Sequence, residues 1–381
     1  MKLCYFDHAA TTAVNEEVLK EMFPYFSLNY GNASSMYQIG RKSHQAIELA
    51  RKKVANAIGA KPKEIYFTGC GSESDNLAIK GFCRANKQKG NHIITTKIEH
   101  PAVLHTCKSL EKEGFTVTYL SVNPEGRISI EELERAITNQ TILISIMFAN
   151  NEIGTIQPIK EISVIAEKHH ITFHTDAVQA VGNVAIDVEK MGIDMLCLSS
   201  HKLYGPKGVG GLYIKEGILV DKIQDGGHQE RDKRAGTENV AGIVGTGKAI
   251  ELACGNLESY NQKLQMLRDY YFDQLQKRIP QAKINGDIKH RLPGNANVSF
   301  PFIDGQSLLF KLDEREICAS AGSACSTGMT SPSHVLLAIG LKDELANGTL
   351  RVTFGEENTK EEVDYLLDSL EEIIGQMSVK K

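Results

Sequence analysis

The chain reads Ile193-Asp194-Met195-Leu196-Cys197-Leu198-Ser199-Ser200-His201-Lys202, and Gly205-Pro206-Lys207-Gly208-Val209-Gly210-Gly211 follows shortly afterwards. The first six residues are mostly apolar and predict a buried strand. The segment rich in glycine and proline predicts a tight turn into a second strand, Leu212-Tyr213-Ile214. Lys202 therefore lies at the mouth of a buried strand, where partial desolvation makes a lysine amine a usable nucleophile. These residues alone also allow a solvated lysine in a polar turn.

Strand and helix patterns alternate along residues 15–257. We predict strands at 65–68, 92–95, 116–120, 142–148 and 171–174, with helices near 102–113, 129–138 and 158–170. Between Gly40 and Gly59 apolar residues recur every three or four positions, which predicts a helix that Gly59 ends. This alternation predicts an α/β fold with a large, mostly parallel sheet that is covered on both faces.

The pattern changes after residue 255. A long amphipathic helix follows and is closed by Pro280. The remainder mixes strand patterns at 297–300 and 350–354 with a final helix, whose Thr359 and Glu362 match a capping box. We therefore predict two domains: a large one over 15–257, and a smaller α+β domain built from 1–14 and 258–381.

Composition argues against several function classes. A formal net charge of −4 over 381 residues gives no sign of a nucleic-acid or membrane surface. The first residues lack the apolar core of a signal peptide, and no run approaches the roughly 20 apolar residues of a membrane helix. None of the eight cysteines has CxxC spacing, which argues against a zinc site or a disulfide framework. We expect a cytoplasmic protein with no metal site that contacts neither nucleic acid nor membranes directly.

Four polar loops follow predicted strands, at the edge where parallel sheets bind ligands. They are Gly69-Cys70-Gly71-Ser72-Glu73, Ile98-Glu99-His100-Pro101, Asn150-Asn151-Glu152-Ile153-Gly154 and His174-Thr175-Asp176-Ala177-Val178-Gln179. The glycine loop suits one phosphate, because its N–H groups approach an anion at the start of a helix that Ser72 is expected to cap. Asp176 suits a positively charged group such as a protonated pyridine nitrogen.

Each loop also has a purely structural explanation. The glycine loop fits an ordinary strand-to-helix turn, and the asparagines fit a turn. Asp176 fits a helix N-cap, and His100 fits a structural histidine before a proline. Together with Lys202, the loops supply a phosphate anchor, a partner for a cation and an amine nucleophile, which are what a pyridoxal 5′-phosphate (PLP) site needs. A nicotinamide oxidoreductase is a weak alternative, because the glycine loop lacks GxGxxG.

Eight motifs are spread over almost the whole chain. They are Tyr5-Phe6-Asp7-His8-Ala9-Ala10-Thr11-Thr12, Glu73-Ser74-Asp75-Asn76-Leu77-Ala78-Ile79-Lys80-Gly81, Glu99-His100, Asn150-Asn151-Glu152-Ile153-Gly154, Asp176-Ala177-Val178-Gln179, Ser200-His201-Lys202, Arg234-Ala235-Gly236-Thr237-Glu238-Asn239 and Gly322-Ser323-Ala324-Cys325. In this order they resemble the class V PLP-dependent enzymes of the NifS/IscS cysteine desulfurase type. The resemblance implies fold type I of the PLP-dependent transferases, which is aspartate aminotransferase-like.

The resemblance implies roles around the PLP ring. Lys202 would carry PLP and move the α-proton of the substrate, and His100 would stack on the ring and assist proton transfers. Asp176 would pair with the pyridine nitrogen. Gln179 would donate to the ring hydroxyl oxygen, and Asn151 would lie close to that oxygen and to the substrate.

The resemblance also implies phosphate and substrate contacts. The residues that would hold the phosphate within one protomer are Gly71, Ser72, Ser199 and His201. Thr237 would reach the phosphate from the other subunit of a homodimer. Arg351 would bind the substrate carboxylate in the bidentate manner that a guanidinium allows.

Small residues surround Cys325 in Ser320-Ala321-Gly322-Ser323-Ala324-Cys325-Ser326-Thr327-Gly328. Such a composition packs poorly and predicts a mobile, exposed loop over about 320–332. Cys318, which follows Ile317, is the better candidate for a buried structural cysteine. The thiolate of Cys325 would attack the sulfur of PLP-bound cysteine, alanine would leave, and Cys325 would hold a persulfide for an acceptor.

The prediction from sequence is a homodimeric, PLP-dependent cysteine desulfurase that converts L-cysteine to L-alanine. Its persulfide sulfur would pass to acceptor proteins, such as an iron–sulfur scaffold, for iron–sulfur cluster, thio-cofactor or tRNA biosynthesis. A selenocysteine lyase or an aminotransferase on the same fold is the alternative within the class. A non-catalytic scaffold that retains the fold is the alternative outside it.

Overall fold

A seven-stranded sheet forms the centre of the molecule. The computed structural model describes residues 3–321 and 332–379, whose strands are β1 (Cys4–Tyr5), β2 (Ile65–Thr68), β3 (His92–Thr96), β4 (Thr116–Leu120), β5 (Thr141–Ser145), β6 (Thr172–Asp176), β7 (Met195–Ser199), β8 (Gly210–Ile214), β9 (Lys283–Ile284), β10 (Asn295–Ser299), β11 (Ile317–Cys318) and β12 (Thr349–Thr353). The central sheet has the order β2-β8-β7-β6-β5-β3-β4. β8 runs antiparallel to β2 and β7, and the other neighbours are parallel, which confirms the predicted α/β class.

Helices alternate with the strands along most of the chain. In the described residues they are α1 (Glu16–Met22), α2 (Pro24–Ser27), α3 (Gln38–Ala57), α4 (Gly71–Asn76), α5 (Phe82–Ala85), α6 (Pro101–Glu111), α7 (Ile130–Ala136), α8 (Ile159–Lys168), α9 (Val188–Met191), α10 (Val240–Gly255), α11 (Leu257–Arg278), α12 (Gly305–Asp313), α13 (His334–Ala338), α14 (Asp343–Asn347) and α15 (Lys360–Val379). A π-helical turn, Leu77–Gly81, joins α4 to α5. None of these helices combines the length and the apolar character that crossing a membrane requires.

The central sheet is buried on both faces. Leu196 and Leu198 of β7 belong to an apolar cluster that includes residues of α3, α8 and α10. Met195 and Cys197 of the same strand belong to another cluster, which includes residues of α6 and of the helical segment after β2. Because successive side chains of a strand point to opposite faces, the two clusters cover the two sides of the sheet. This explains why β7 is apolar at almost every position.

The amino terminus packs with the last third of the chain. β1 pairs with β11 in parallel, and β10 pairs antiparallel with both β9 and β12. The rings of Phe6 and Phe354 meet edge to face with their centres 5.8 Å apart. Phe6 shares an apolar cluster with residues of α11, α12 and α15. The division into 15–257 and 1–14 plus 258–381 stays a prediction.

Helix ends follow the predicted signals, with one exception. Gly59 has a φ of +70° just after α3, as a glycine that ends a helix requires. Thr359 and Glu362 exchange two side chain–backbone hydrogen bonds of 3.3 Å, which confirms the capping box. Ser72 is not the N-cap of α4, so that prediction is wrong. Cys70 occupies the cap position in an extended conformation, because the chain already turns where Gly71 approaches β7.

A buried ion pair holds the segment that precedes the Arg234–Asn239 motif. The two guanidinium Nη atoms of Arg51 donate to the two carboxylate oxygens of Glu230 at 2.7 and 2.8 Å. Glu230 also accepts from the backbone N–H of Phe67 at 2.8 Å. Both charged side chains are about 95% buried, with 5% and 4% of their surface exposed. Glu48 Oε1 lies 2.9 Å from Arg51 Nε, so loss of Glu230 would leave Arg51 with this one partly exposed counter-ion in place of two.

We expect Glu230→Gln to lower the free energy of unfolding by about 2 kcal/mol, because the buried Arg51 loses its bidentate carboxylate partner and keeps only Glu48 as counter-ion. Urea denaturation at a fixed protein concentration measures this change. Glu216→Gln is the matched control, since Glu216 pairs with Lys63 on the surface and its loss should cost much less stability than the loss of Glu230. Equal effects of the two substitutions would show that burial does not strengthen the Arg51 pair.

Candidate functional site

Lys202 lies at the carboxyl edge of the central sheet. It ends a short 3-10 turn, Ser200–Lys202, which follows β7 directly. Its Nζ donates hydrogen bonds to the carbonyl oxygens of Ala9 (2.5 Å) and Ala10 (2.6 Å). The half-buried amine is therefore held by backbone acceptors of the amino-terminal segment.

The same amino-terminal segment fixes the backbone of the lysine turn. The N–H and the hydroxyl of Thr12 both donate to the carbonyl oxygen of His201, each at 3.0 Å. His201 Nδ1 lies 3.1 Å from the hydroxyl of Thr11. Burial, together with the nearby charges of Lys202 and Lys207, lowers the pKa of His201 to about 4. His201 is therefore neutral near pH 7 and interacts as a hydrogen-bonding group.

Asp176 faces Lys202 and His100 at this edge. It ends β6, is 7% exposed, and accepts a hydrogen bond of 2.9 Å from the backbone N–H of Val178. Burial raises the pKa of Asp176, and the charges of His100 and Lys202 act in the opposite direction. The structure thus brings together three residues that the sequence predicts as partners.

His100 combines a structural role with a place in the site. It is the N-cap of α6, where its Nδ1 accepts from the backbone N–H of Ala102 at 3.1 Å. Because Nδ1 is the acceptor, the neutral ring carries its hydrogen on Nε2. Burial lowers the pKa of His100, and the charge of Lys202 adds to this effect. The structural explanation of His100 as a capping residue is confirmed, and its role in the site stays a prediction.

The predicted phosphate-binding residues surround the start of α4. A Cβ on Gly71 would lie 2.8 Å from Val178 Cγ2 and 3.4 Å from Ser199 Cβ, so only glycine fits there. Within the described residues, the buried hydroxyl of Ser199 has no hydrogen-bond partner. Ser72 is exposed in the first turn of α4. A buried hydroxyl that lacks a partner, beside the start of a helix, fits the binding of an anion.

Gln179 and Arg351 are both tied to the amino-terminal segment. The amide of Gln179 donates to the carbonyl oxygen of Ala9 at 3.0 Å, so Gln179 and Lys202 share one acceptor. Arg351 is 1% exposed on β12, and its guanidinium donates to Asp7 Oδ1 at 2.7 Å and to the carbonyl oxygen of Asn151 at 3.0 Å. No local sequence pattern predicts the ion pair between Arg351 and Asp7, although Asp7 lies in the first of the eight motifs.

Two predicted residues stand apart from this cluster. Thr237 is exposed, and no hydrogen bond within the described ranges connects it with the site. Cys325 lies outside the described residues. The described residues on either side of 322–331 lie next to the site. Ser320 exchanges two backbone hydrogen bonds with Arg351, and the hydroxyl of Ser333 donates to Glu152 Oε2 at 2.5 Å.

Sequence reasoning missed a buried polar group on the strand of Asp176. His174, on the same strand, lies 3.2 Å from Cys197 Sγ and 3.7 Å from Asp75 Oδ1 through its Nε2. Its Nδ1 lies 2.8 Å from the hydroxyl of Ser145. Burial lowers the pKa of His174 to about 3, so the ring is neutral. One side-chain atom of each of Asp75, His174 and Cys197 lies within 4.8 Å of the other two, and all three residues are buried.

Glu99 is another buried polar residue, to which the sequence motifs assign no chemical role. Its carboxylate accepts from the hydroxyl of Thr96 at 2.7 Å and from the backbone N–H of Met147 at 3.0 and 3.1 Å. Burial raises the pKa of Glu99 to about 8, and the charge of Asp176 adds to this rise. Glu99 is therefore largely protonated at pH 7.

The chain is similar to known proteins over almost its whole length. Residues 4–366 match the family model for aminotransferase class-V. The chain is 55% identical over 377 residues to the cysteine desulfurase IscS of Clostridium botulinum. The alignment covers 98% of this chain and 95% of that protein. It is also 55% identical over 373 residues to the cysteine desulfurase IscS of Methanosarcina thermophila. That alignment covers 98% of this chain and 92% of that protein.

Solved structures give the same result for the fold. A structure described as a NifS-like protein aligns with a TM-score of 0.93 and 39% identity, covering 98% of this chain and 100% of that one. The structure of SspA in complex with cysteine aligns with a TM-score of 0.82 and 40% identity, covering 92% of this chain and 98% of that one.

We expect Glu99→Gln to change how stability depends on pH. Between pH 4.5 and about 8 the folded protein keeps the proton of Glu99, whereas the unfolded chain releases it. Because the unfolded state binds fewer protons, the free energy of unfolding of the wild type falls as pH rises through this range. The variant lacks this proton. Its stability relative to the wild type should therefore increase with pH, by about 1 kcal/mol per pH unit at the steepest point.

Denaturation of both proteins at pH 5, 6.5 and 8 measures this difference. Glu113→Gln is the matched control, because its ion pair with Arg84 lowers the pKa of Glu113 and moves its titration below this range. Parallel stability curves for the wild type and Glu99→Gln would contradict the raised pKa of Glu99.

Proposed function

Because the chain belongs to the aminotransferase class-V family, in which it is a cysteine desulfurase of the IscS/NifS type, we propose that the edge around Lys202 binds PLP and L-cysteine and that Cys325 receives the cysteine sulfur. The observation that carries this proposal is the convergence of Lys202, Asp176 and His100 at the end of β6 and β7. These residues supply an amine, an acid and an imidazole within one electrostatically coupled group.

The residues at this edge fit the chemical parts of PLP. Ser199 has a buried hydroxyl free to donate, and Gly71 leaves room for a phosphate beside the start of α4. His201, neutral at pH 7, would donate a hydrogen bond to the phosphate, and the exposed hydroxyl of Ser72 would complete its binding. When bound, PLP supplies an electron sink for the carbon next to the substrate amine, which protein side chains lack.

The ring would be held by groups from three segments. Asp176, facing positive charges, would bind the protonated pyridine nitrogen, and Gln179 would donate to the ring hydroxyl oxygen. The ring of His100 would stack on the pyridine and exchange a proton through its Nε2. Lys202 would bind the aldehyde carbon and move a proton at the α-carbon of the substrate, since its Nζ already lies at this edge.

Arg351 supports the choice of an amino acid as substrate. Its buried guanidinium binds one carboxylate, that of Asp7, at 2.7 Å. An arginine in this setting is suited to bind the carboxylate of L-cysteine as well. Asn151, whose carbonyl accepts from Arg351, would lie close to the bound substrate.

We place the sulfur transfer at Cys325. Its thiolate would attack the sulfur of the bound cysteine, so that an S–S bond forms while the C–S bond of the substrate breaks and L-alanine is released. The positions of Ser320 and Ser333 support this assignment, because their contacts with Arg351 and Glu152 hold the neighbouring chain at the substrate side of the site. The persulfide would then pass to acceptor proteins, among which we predict an iron–sulfur scaffold.

We expect Cys325→Ala to abolish sulfur release while the protein stays yellow with bound PLP. The variant keeps Lys202 and Asp176 but lacks the thiolate, so its rate of alanine formation should fall at least about 100-fold. Mass spectrometry of the cysteine-treated wild type should place one additional sulfur atom on Cys325. Cys318→Ala, which removes a half-buried cysteine of β11, is the matched control and should keep near-normal activity.

Full activity of Cys325→Ala would contradict the persulfide role. A keto acid as product would indicate an aminotransferase, and turnover of selenocysteine but not cysteine would indicate a selenocysteine lyase. A colourless protein without turnover would contradict the PLP site itself.

We also propose a homodimer in which Thr237 reaches the phosphate of the partner protomer. The exposed position of Thr237 supports this arrangement. Large apolar side chains are unusually exposed between residues 19 and 37. They are Leu19, Phe23, Phe26, Leu28, Tyr30, Met36 and Tyr37, with exposed fractions between 49% and 89%. A second copy of the chain would bury them.

We expect the double substitution Phe23→Asp and Phe26→Asp to shift the protein from dimer to monomer, because burying two carboxylates in an apolar interface is unfavourable. Sedimentation velocity at several protein concentrations measures the shift. Phe310→Asp is the matched control, since Phe310 is similarly exposed (68%) on α12 but lies far from these residues in sequence. An unchanged oligomeric state of the double variant would rule out this interface.

A further inference from the structure

Tyr204 adopts an unusual backbone conformation two residues after Lys202. Its φ is +59°, in the left-handed region that bulky side chains rarely occupy. Its N–H donates to the hydroxyl of Thr12 at 2.9 Å, and its carbonyl oxygen accepts from the N–H of Asn15 at 3.0 Å. The amino-terminal segment thus holds Tyr204 in a strained conformation. Such strain is frequently found where a side chain must point in one particular direction.

The hydroxyl of Tyr204 connects the lysine turn with distant parts of the chain. It accepts a hydrogen bond of 2.8 Å from the backbone N–H of Glu356. It also lies 3.3 Å from Glu357 Oε2 and 3.3 Å from the hydroxyl of Tyr260, near the start of α11. His8 Nδ1 is 3.5 Å away. One hydroxyl therefore links the turn with the amino terminus, α11 and the segment after β12.

Close packing does not hold the Tyr204 side chain in place. A cavity of about 470 Å³ and a smaller one of about 40 Å³ are both lined by Lys202, Tyr204 and Tyr260. A side chain that borders two cavities has fewer packing neighbours than an interior residue. Its orientation consequently depends on its hydrogen bonds. Burial raises the pKa of Tyr204, so the hydroxyl keeps its proton and donates while it accepts from Glu356.

The segment that Tyr204 contacts continues the strand of Arg351. β12 ends at Thr353, and Glu356 follows three residues later. A shift of this segment relative to the lysine turn would move β12, and with it the guanidinium of Arg351, relative to Lys202. The two groups that would bind the ends of an amino acid are therefore connected through Tyr204.

We propose that Tyr204 is a positioning residue, which sets where Arg351 lies relative to Lys202 and thereby how tightly the enzyme binds the carboxylate of its amino-acid substrate. The inference rests on the proposed function, because it takes Arg351 as the carboxylate-binding group and Lys202 as the cofactor-binding amine. Tyr204 would itself contact neither substrate nor cofactor. Its effect is transmitted through the hydrogen bonds at Glu356, Glu357 and Tyr260.

The test is Tyr204→Phe in the PLP-loaded protein, which removes the hydroxyl and keeps the ring. L-Alanine has the carboxylate but no thiol, so its binding can be followed without turnover by the change in cofactor absorbance. We expect the Kd for L-alanine and the KM for L-cysteine to rise about fivefold, as loss of one hydrogen bond to a positioning contact would produce. The kcat should stay within about twofold, and the absorbance spectrum before ligand addition should be unchanged.

Cysteamine separates an effect through Arg351 from a general loss of structure. It carries the amine and thiol of cysteine without the carboxylate, so its Kd should be the same for the wild type and Tyr204→Phe. Tyr270→Phe is the matched control, because it removes a hydroxyl that binds Asp364 between α11 and α15, away from Lys202. If Tyr204→Phe folds poorly, Tyr260→Phe removes a neighbouring hydroxyl and should give a smaller change in the same direction.

Two results would overturn the inference. An unchanged Kd for L-alanine in Tyr204→Phe would show that the hydroxyl does not position Arg351. An equal weakening of L-alanine and cysteamine would show that its effect does not pass through the carboxylate site. If the wild type binds PLP and turns over cysteine, either of these two results leaves the proposed function intact. A wild type that binds no PLP would contradict the proposed function and this inference together.

Discussion

The hydrogen bonds from Lys202 to the carbonyl oxygens of Ala9 and Ala10 connect the central sheet with the amino-terminal segment. A strand buried on both faces has to leave the sheet at its carboxyl end, and here it leaves through a turn that Thr12 holds from outside. The same segment binds Gln179 through Ala9 and Arg351 through Asp7. A few residues of irregular backbone thus determine the positions of an amine, an amide and a guanidinium.

Three acids are buried to a similar extent but have different charged groups around them. Asp75, Glu99 and Asp176 are all almost inaccessible to water, and burial raises the pKa of each. Asp176 alone among the three faces Lys202 and His100 at the edge, and their charges favour its ionised form. Of these three buried carboxyl groups, Asp176 is thus the one at which neighbouring positive groups oppose the effect of burial on the pKa.

Much of this arrangement could be predicted from the sequence, because its signals are local. The apolar run before Lys202, the glycine loop and the polar residues after each strand predict the sheet edge, and the edge brings Asp176, His100 and Lys202 together. The pairing of Arg351 with Asp7 could not be predicted, since residues so far apart share no periodic pattern. Asp75 and His174 lie within apolar-looking elements, where a buried polar network looks like ordinary core. The prediction of Ser72 as the N-cap is wrong, because any small polar residue after the glycines satisfies the cap pattern. The close approach of Gly71 to β7 decides where the helix begins.

The position of the amino-terminal segment has a consequence for synthesis of the protein. The N–H of Ala9 binds the hydroxyl of Thr353, 344 positions later in the chain. At the usual rate of translation the ribosome needs roughly 17–70 s to make the intervening residues. Until the chain has passed β12, the apolar cluster around Phe6 lacks Leu350, Val352 and Phe354. The residues that leave the ribosome first therefore complete their native contacts late, and the contact of Asp7 with Arg351 forms only when the chain is nearly finished.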